Sequence, residues 1–143
     1  KNLVESGQYM CIEREWVPGD YVELFLDMSL HYWVGEKECD GLVSIYRGPI
    51  LLTYDRRFSK YDPNKIPKIK LAKSAEVLSS KSNWPKPWLK IKVPCENGEE
   101  ITLCDFATAG ASGTPYRSWL PVSNIRKVSF TKKNPLRSIR PEK

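Results

Sequence analysis

The chain has 143 residues, of which 41% are hydrophobic and 28% are charged, and its formal net charge is +6. This apolar fraction lets a single domain build a core without disulfides or metals, which argues against an intrinsically disordered chain. Because the longest apolar runs are only as long as β-strands, the sequence also excludes a bilayer-spanning helix.

Short alternating runs separated by turn signals predict β-strands along most of the chain. The first two runs, residues 9–16 and 21–28, flank Pro18-Gly19, where proline fixes φ and glycine allows the positive φ of a type II turn. No helical periodicity is sustained, so we expect an all-β antiparallel sandwich of the jelly-roll type. Further strands are predicted at Leu30–Val34, Leu42–Tyr46, Ile50–Tyr54 and Tyr116–Val122.

The predicted domain organisation is a single sandwich over residues 1–125 followed by a basic tail at residues 126–143. Within the domain, residues 56–87 contain four prolines and many lysines, and we interpret them as a long decorated connection. One short helix or strand is expected in this connection, at Ala75–Leu78. The start at Lys1 rather than a methionine suggests a mature form or an excised piece of a longer chain.

Asn97-Gly98 is a strong hairpin signal, because both residues tolerate positive φ. If these two residues form the loop, Cys104 faces Ile91 and Cys95 faces Glu100, so this register forbids a Cys95–Cys104 disulfide. The sequence has no Cys-x-x-Cys pair and only one histidine, which gives no support for a zinc site. We therefore interpret the four cysteines as small buried hydrophobes and expect no metal or cofactor.

The positive charge is unevenly distributed along the sequence. The net charges of residues 1–55, 56–92, 93–125 and 126–143 are −6, +9, −3 and +6. The excess therefore sits in the C-terminal tail, which is typical of a solvated terminus. A nucleic-acid surface would interleave basic and stacking aromatic residues on one face, so nucleic acid is not an expected partner.

Three sequence blocks resemble the β-sandwich that follows the helical barrel in glycoside hydrolase family 127 and its relatives. Residues 9–24 are similar to its Tyr…Ile-x-Arg-x-Trp-x-x-Gly-Asp-x-Val-x-Leu hairpin. Residues 44–52 resemble its Arg/Tyr-Gly-Pro-hydrophobic strand pair, and residues 105–121 its terminal Phe-Ala-x-Ala-Gly…Tyr-x-x-Trp-Leu signature. The order of the three blocks is more specific than any one of them.

The resemblance implies that this chain is a non-catalytic accessory domain. Enzymes of this family are β-L-arabinofuranosidases and related glycosidases, and their catalysis belongs to the helical barrel, where a zinc-bound cysteine acts beside glutamates. No segment of this sequence matches that catalytic motif. The implied partner is a catalytic domain upstream in the same polypeptide, with a subunit contact between copies as a further expectation.

Two alternatives remain open at the level of sequence. Carboxylate pairs such as Glu13/Glu15 and Glu23/Asp27 could support glycoside hydrolysis, although alternating acids are also typical of a solvated strand face. A carbohydrate-binding module would instead present exposed aromatics to sugars. The candidate sugar-contact or domain-interface residues are Trp33, Trp84, Trp88, Arg14 and Arg47, whereas Trp16 and Trp119 are assigned to the core or a domain interface.

Overall fold

We describe the fold from a computed structural model that covers residues 9–70, 76–78 and 87–123. These residues belong to two compact units, the N-terminal unit with residues 9–25 and the sheet unit from Leu26 onward. The sheet unit is built of antiparallel strands, which confirms the all-β antiparallel prediction. The second layer of a jelly-roll sandwich stays a prediction, because the described strands form one sheet. Trp84 and the basic tail lie outside the described residues.

The N-terminal unit contains the predicted turn but neither predicted strand. Gly19 has a φ of +100°, and the amide of Asp20 donates to the carbonyl of Val17 at 3.1 Å, as expected for a turn at Pro18-Gly19. Residues 9–29, however, contain no strand, so the strand predictions for 9–16 and 21–28 are wrong. An isolated two-stranded hairpin has marginal stability without a surface to cover its apolar face. Alternation of apolar and polar residues is therefore not sufficient to form strands at 9–16 and 21–28.

In the described part of the chain, eight strands form the sheet, in the order β1-β2-β3-β6-β5-β4, with β7 paired to β3 and β8 to β2. The boundaries predicted for the first three strands agree with the structure to within one residue. The strands are β1 (Leu30–Val34), β2 (Leu42–Arg47), β3 (Ile50–Asp55), β4 (Glu76–Leu78), β5 (Lys90–Pro94), β6 (Glu100–Asp105), β7 (Tyr116–Arg117) and β8 (Leu120–Pro121). The strand predicted at 116–122 is thus interrupted at Ser118-Trp119.

One face of the sheet forms a continuous apolar core. Alternate residues of the central strands point into it, and Leu52, Tyr54, Ile91 and Leu103 are all completely buried. The Tyr54 hydroxyl donates to the carbonyl of Tyr61 at 2.7 Å, so the largest core side chain also satisfies its polar atom.

The connection after β3 contributes to this core. Ile69 is completely buried and Ile66 nearly so. The Ile69 amide donates to the carbonyl of Pro121 at 2.9 Å, and its carbonyl accepts from the amide of Ser123 at 3.0 Å. Two isoleucines between prolines and lysines carry no periodicity, so the sequence pattern did not identify them as core residues.

The β5–β6 hairpin differs from its predicted register by one residue. Ile91 pairs with Leu103, and Lys90 pairs with Cys104. The loop has three residues rather than two: the amide of Cys95 donates to the carbonyl of Glu99 at 2.8 Å, and Gly98 has a φ of +81°. This is the three-residue hairpin with a left-handed glycine. Cys104 consequently lies on the opposite face from Leu103.

Candidate functional site

An open groove of about 620 Å³ lies on the face of the sheet opposite the apolar core. Its floor comes from alternate residues of β2 and β3, and its walls come from three other segments. The lining residues are Glu38, Cys39, Leu42, Ser44, Tyr46, Leu51, Phe106, Tyr116, Arg117, Ser118 and Trp119.

The groove forms where β2 and β3 diverge. They pair only from Ile45 to Arg47 and from Ile50 to Leu52, on either side of Gly48-Pro49. Farther from this turn, β2 pairs with β8 and β3 pairs with β7. Residues 118–119, between β7 and β8, therefore cross from one strand to the other. The Ser118 hydroxyl lies 3.0 Å from the buried Thr53 hydroxyl, which fixes this crossing to the sheet.

Two aromatic rings at the groove are held edge to face. The ring centroids of Phe106 and Tyr116 are 6.0 Å apart with an interplanar angle of 74°, and the two side chains are 46% and 49% exposed. Gly110 has a φ of +68°, and a Cβ added there would lie 2.6 Å from Cδ1 of Tyr116. Glycine at this position therefore allows the tyrosine ring to rest directly on the loop backbone.

A completely buried carboxylate, Asp55, anchors the loop that carries these rings. Its oxygens accept from the amides of Arg57 and Gly110 and from the Thr114 hydroxyl, at 2.8 to 2.9 Å. The Arg57 guanidinium completes the set with an ion pair at 2.9 Å. Burial by itself raises the pKa of Asp55, but the hydrogen bonds from Arg57, Gly110 and Thr114 outweigh it and hold the pKa below its ordinary value.

Asp105, at the end of the neighbouring strand β6, anchors two segments of the chain through its carboxylate, as Asp55 does. One carboxylate oxygen accepts from the amides of Trp88 and Leu89, and the other accepts from the amide and hydroxyl of Thr108. Each aspartate ends a strand and caps the short 3-10 turn that follows it. The acceptor sites of both carboxylates are therefore occupied by donors of the chain itself, which assigns them a positioning role.

The four cysteines are free thiols in different environments. Cys95 and Cys104 are buried, as predicted, but Cys11 is exposed and Cys39 is partly exposed at the groove. Burial raises the pKa of Cys104 to about 12, and the nearby Asp55 and Asp105 carboxylates add to this shift. A thiol with this pKa is protonated at neutral pH and therefore a poor nucleophile.

Among the described candidate residues of the sheet unit, Trp88 lies apart from Trp33 and Arg47. Trp33 and Arg47 are half-buried on β1 and β2, and Trp33 pairs with the groove residue Ser44. Trp88 is 86% exposed just before β5, with three strands between β5 and β1. Arg14 lies in the N-terminal unit, where it forms an ion pair with Asp20 at 2.8 Å.

The groove residues were missed because nonlocal pairing creates the groove. Tyr116 and Trp119 are in the third block of the family resemblance, where Trp119 was assigned to the core or a domain interface. It is half-buried along the groove, and the assignment to a domain interface stays a prediction. The sequence signal that could have found them is the run of small residues at 107–113 before two aromatics, which is typical of a loop that closely approaches a ring.

A second surface of interest is the apolar part of the N-terminal unit. Tyr21, Val22 and Leu24 are 82%, 62% and 69% exposed, although the alternating sequence predicts burial for the last two. They lie in the first block of the family resemblance. Exposed apolar clusters of this kind are typical of surfaces that bind another protein or domain.

Comparisons with protein-family models, with curated proteins and with solved structures give no match to this chain. The part of the chain that the structure describes has no helix long and apolar enough to cross a membrane. Within residues 9–70, 76–78 and 87–123, no group of three His, Cys, Asp or Glu side chains is placed to hold a metal ion.

Proposed function

We propose that this chain is a non-catalytic accessory domain of a larger glycoside hydrolase, and that it packs on a catalytic domain upstream in the same polypeptide. The observation that carries the proposal is the exposure of Tyr21, Val22 and Leu24 in the N-terminal unit. Burying such side chains is favourable by about 25 cal/mol per Å² of apolar surface. A neighbouring domain would supply that burial.

The electrostatics of two carboxyl groups, Asp27 and Asp55, argue against either of them acting as a general acid. Acid-catalysed cleavage of a glycoside uses a carboxylic acid whose pKa is raised, so that it still carries its proton near neutral pH. The pKa of Asp55 is held down by its donors, and the backbone hydrogen bond from Ser29 lowers the pKa of Asp27. Both carboxylates are thus tuned in the direction opposite to that of a general acid.

Interface variants of the longer polypeptide test the packing. Replacing Tyr21 and Leu24 with serine in the full-length enzyme should lower its thermal midpoint while kcat changes little, because the scissile bond is cleaved elsewhere. The same two changes in the 143-residue chain should leave its midpoint nearly unchanged, because both side chains are exposed there. Trp88→Ser is the matched control, since this side chain is exposed in the sheet unit. Equal effects of the interface and control variants in the full-length enzyme would contradict the proposal.

Assays of the 143-residue chain test the absence of catalysis. The chain should release no nitrophenol from aryl arabinofuranosides, whereas the full-length enzyme should do so. Turnover by the short chain that a single carboxylate substitution abolishes would overturn the assignment.

A further inference from the structure

We propose that the groove between β2 and residues 116–119 is a binding site for a neutral saccharide. This site uses none of the candidate residues chosen from the sequence, and it does not depend on the accessory-domain role.

The size and openness of the groove fit a short stretch of a sugar chain. Its volume of about 620 Å³ is within the range of small-molecule binding sites. The groove is open to solvent rather than enclosed, so a longer ligand can extend out of it in a way that an enclosed cavity would prevent.

The aromatic wall supplies the apolar contact that sugars need. The C–H faces of a pyranose or furanose ring pack on aromatic faces, while its hydroxyls point to the sides. Phe106 and Tyr116 are each about half exposed, so their rings offer surface to a ligand. The position of the Tyr116 ring is set before binding, because the Gly110 amide donates to Asp55 and the ring packs on the Gly110 backbone, and the Phe106 ring packs edge to face against it. A preformed site avoids the entropic cost of ordering these side chains on binding.

The polar groups of the groove suit hydroxyls better than a charged ligand. Its lining has one carboxylate, Glu38, and one guanidinium, Arg117, so their formal charges cancel. The Arg117 guanidinium is also engaged with the carbonyl of Pro63 at 3.1 Å. The lining also includes two hydroxyls, that of the nearly buried Ser44 on β2 and that of Ser118, which is already within hydrogen-bond distance of the Thr53 hydroxyl. A hydroxyl can donate one hydrogen bond and accept others, as sugar hydroxyls do.

The strand pairing disfavours an extended peptide as the ligand. Peptides often bind by adding a strand to an open sheet edge. Here β2 pairs with β1 on one side and with β3 and β8 on the other. A ligand must therefore contact the side chains that line the groove rather than an unpaired strand backbone. The aromatic rings and hydroxyls among these side chains suit a saccharide.

Titration of the 143-residue chain with xylopentaose, arabinopentaose and cellopentaose tests the proposal. Tryptophan fluorescence should report saturable binding of at least one of them, because Trp119 lines the groove. Phe106→Ala and Glu38→Gln should each weaken binding by about tenfold, as is common for contacts central to an interface. Both side chains are exposed, and thermal melts will verify that the variants fold. Trp88→Ala, which removes an exposed aromatic outside the groove, should bind as tightly as the parent chain.

Two results would overturn the assignment. The first is no saturable binding of any of the three pentasaccharides at millimolar concentration. The second is binding that Trp88→Ala abolishes and Phe106→Ala leaves intact.

Discussion

The backbone amide of Gly110 donates a hydrogen bond to Oδ2 of Asp55 at 2.8 Å, across 55 residues of sequence. Asp55 is completely buried, and the ring of Tyr116 packs against the backbone of Gly110. A carboxylate in the interior of the sheet unit thus determines where an exposed aromatic ring of the groove lies.

Replacing Asp55 with asparagine should destabilise the protein by about 3 kcal/mol, since it leaves the Arg57 guanidinium without its buried partner. Chemical unfolding at neutral pH measures this change. Asp40→Asn is the control, because Asp40 is exposed, and it should change the free energy of unfolding by less than about 0.5 kcal/mol. Equal costs for both variants would contradict the role given to Asp55.

The same carboxylate predicts an acid-sensitive component of stability. The folded-state pKa of Asp55 lies below its unfolded value, so its contribution is complete above the unfolded pKa and is lost as pH falls through the folded pKa. Wild-type stability should therefore fall more steeply below about pH 4 than that of Asp55→Asn. Parallel pH profiles of the two unfolding free energies would refute this assignment.

Gly110→Ala should destabilise the protein and displace the Tyr116 ring. Gly113→Ala is the matched control, because Gly113 also has positive φ but an added Cβ there meets nothing within 4 Å. Both variants incur backbone strain, but only Gly110→Ala also brings a Cβ into contact with the Tyr116 ring. Gly110→Ala should therefore lower the free energy of unfolding by at least about 1 kcal/mol more than Gly113→Ala. Calorimetry measures the difference, and an equal cost would show that the ring does not rest on Gly110.

Thiol labelling should divide the cysteines into two pairs. We expect Cys11 and Cys39 to react with iodoacetamide in the folded protein, and Cys95 and Cys104 to react only after unfolding. Because burial raises the pKa of Cys104 to about 12, almost none of this thiol is ionised even at pH 9, so its labelling at pH 7 and at pH 9 should stay far slower than that of Cys11 and Cys39. Peptide mass spectrometry assigns the labelled sites, and rapid native labelling of Cys104 would disprove its burial.

Ile69→Ala tests whether the connection after β3 belongs to the core. Removing this completely buried side chain should cost about 3 kcal/mol, whereas Lys68→Ala, at an exposed neighbour, should cost less than about 0.5 kcal/mol. Urea unfolding of the two variants gives the comparison. Similar midpoints would show that Ile69 does not contribute to the core.

Local patterns were sufficient to predict the strands that pair with near neighbours. The predicted bounds of β1 to β3 differ from those observed by at most one residue, because alternation and the Arg47-Gly48-Pro49 turn are both local signals. The β5–β6 register was wrong because Asn97-Gly98 is compatible with loops of two or three residues. The choice between them depends on which strand faces are buried.

The groove could not be predicted from sequence patterns, because it too depends on nonlocal contacts. It depends on the divergence of β2 from β3 and on a loop that Asp55 holds from a distant strand. The exposed segment 21–24 shows the converse case. Its alternation is a local signal for a strand, but pairing requires a partner that the described residues do not provide.

Hydroxyl-radical footprinting tests the central claim, packing on a catalytic domain, most directly. Oxidation of Tyr21 and Leu24 is compared between the 143-residue chain and the full-length enzyme, with exposed Trp88 in the sheet unit as the internal reference. The account predicts that Tyr21 and Leu24 become protected in the full-length enzyme relative to Trp88. Equal oxidation of Tyr21 and Leu24 in both proteins would contradict it.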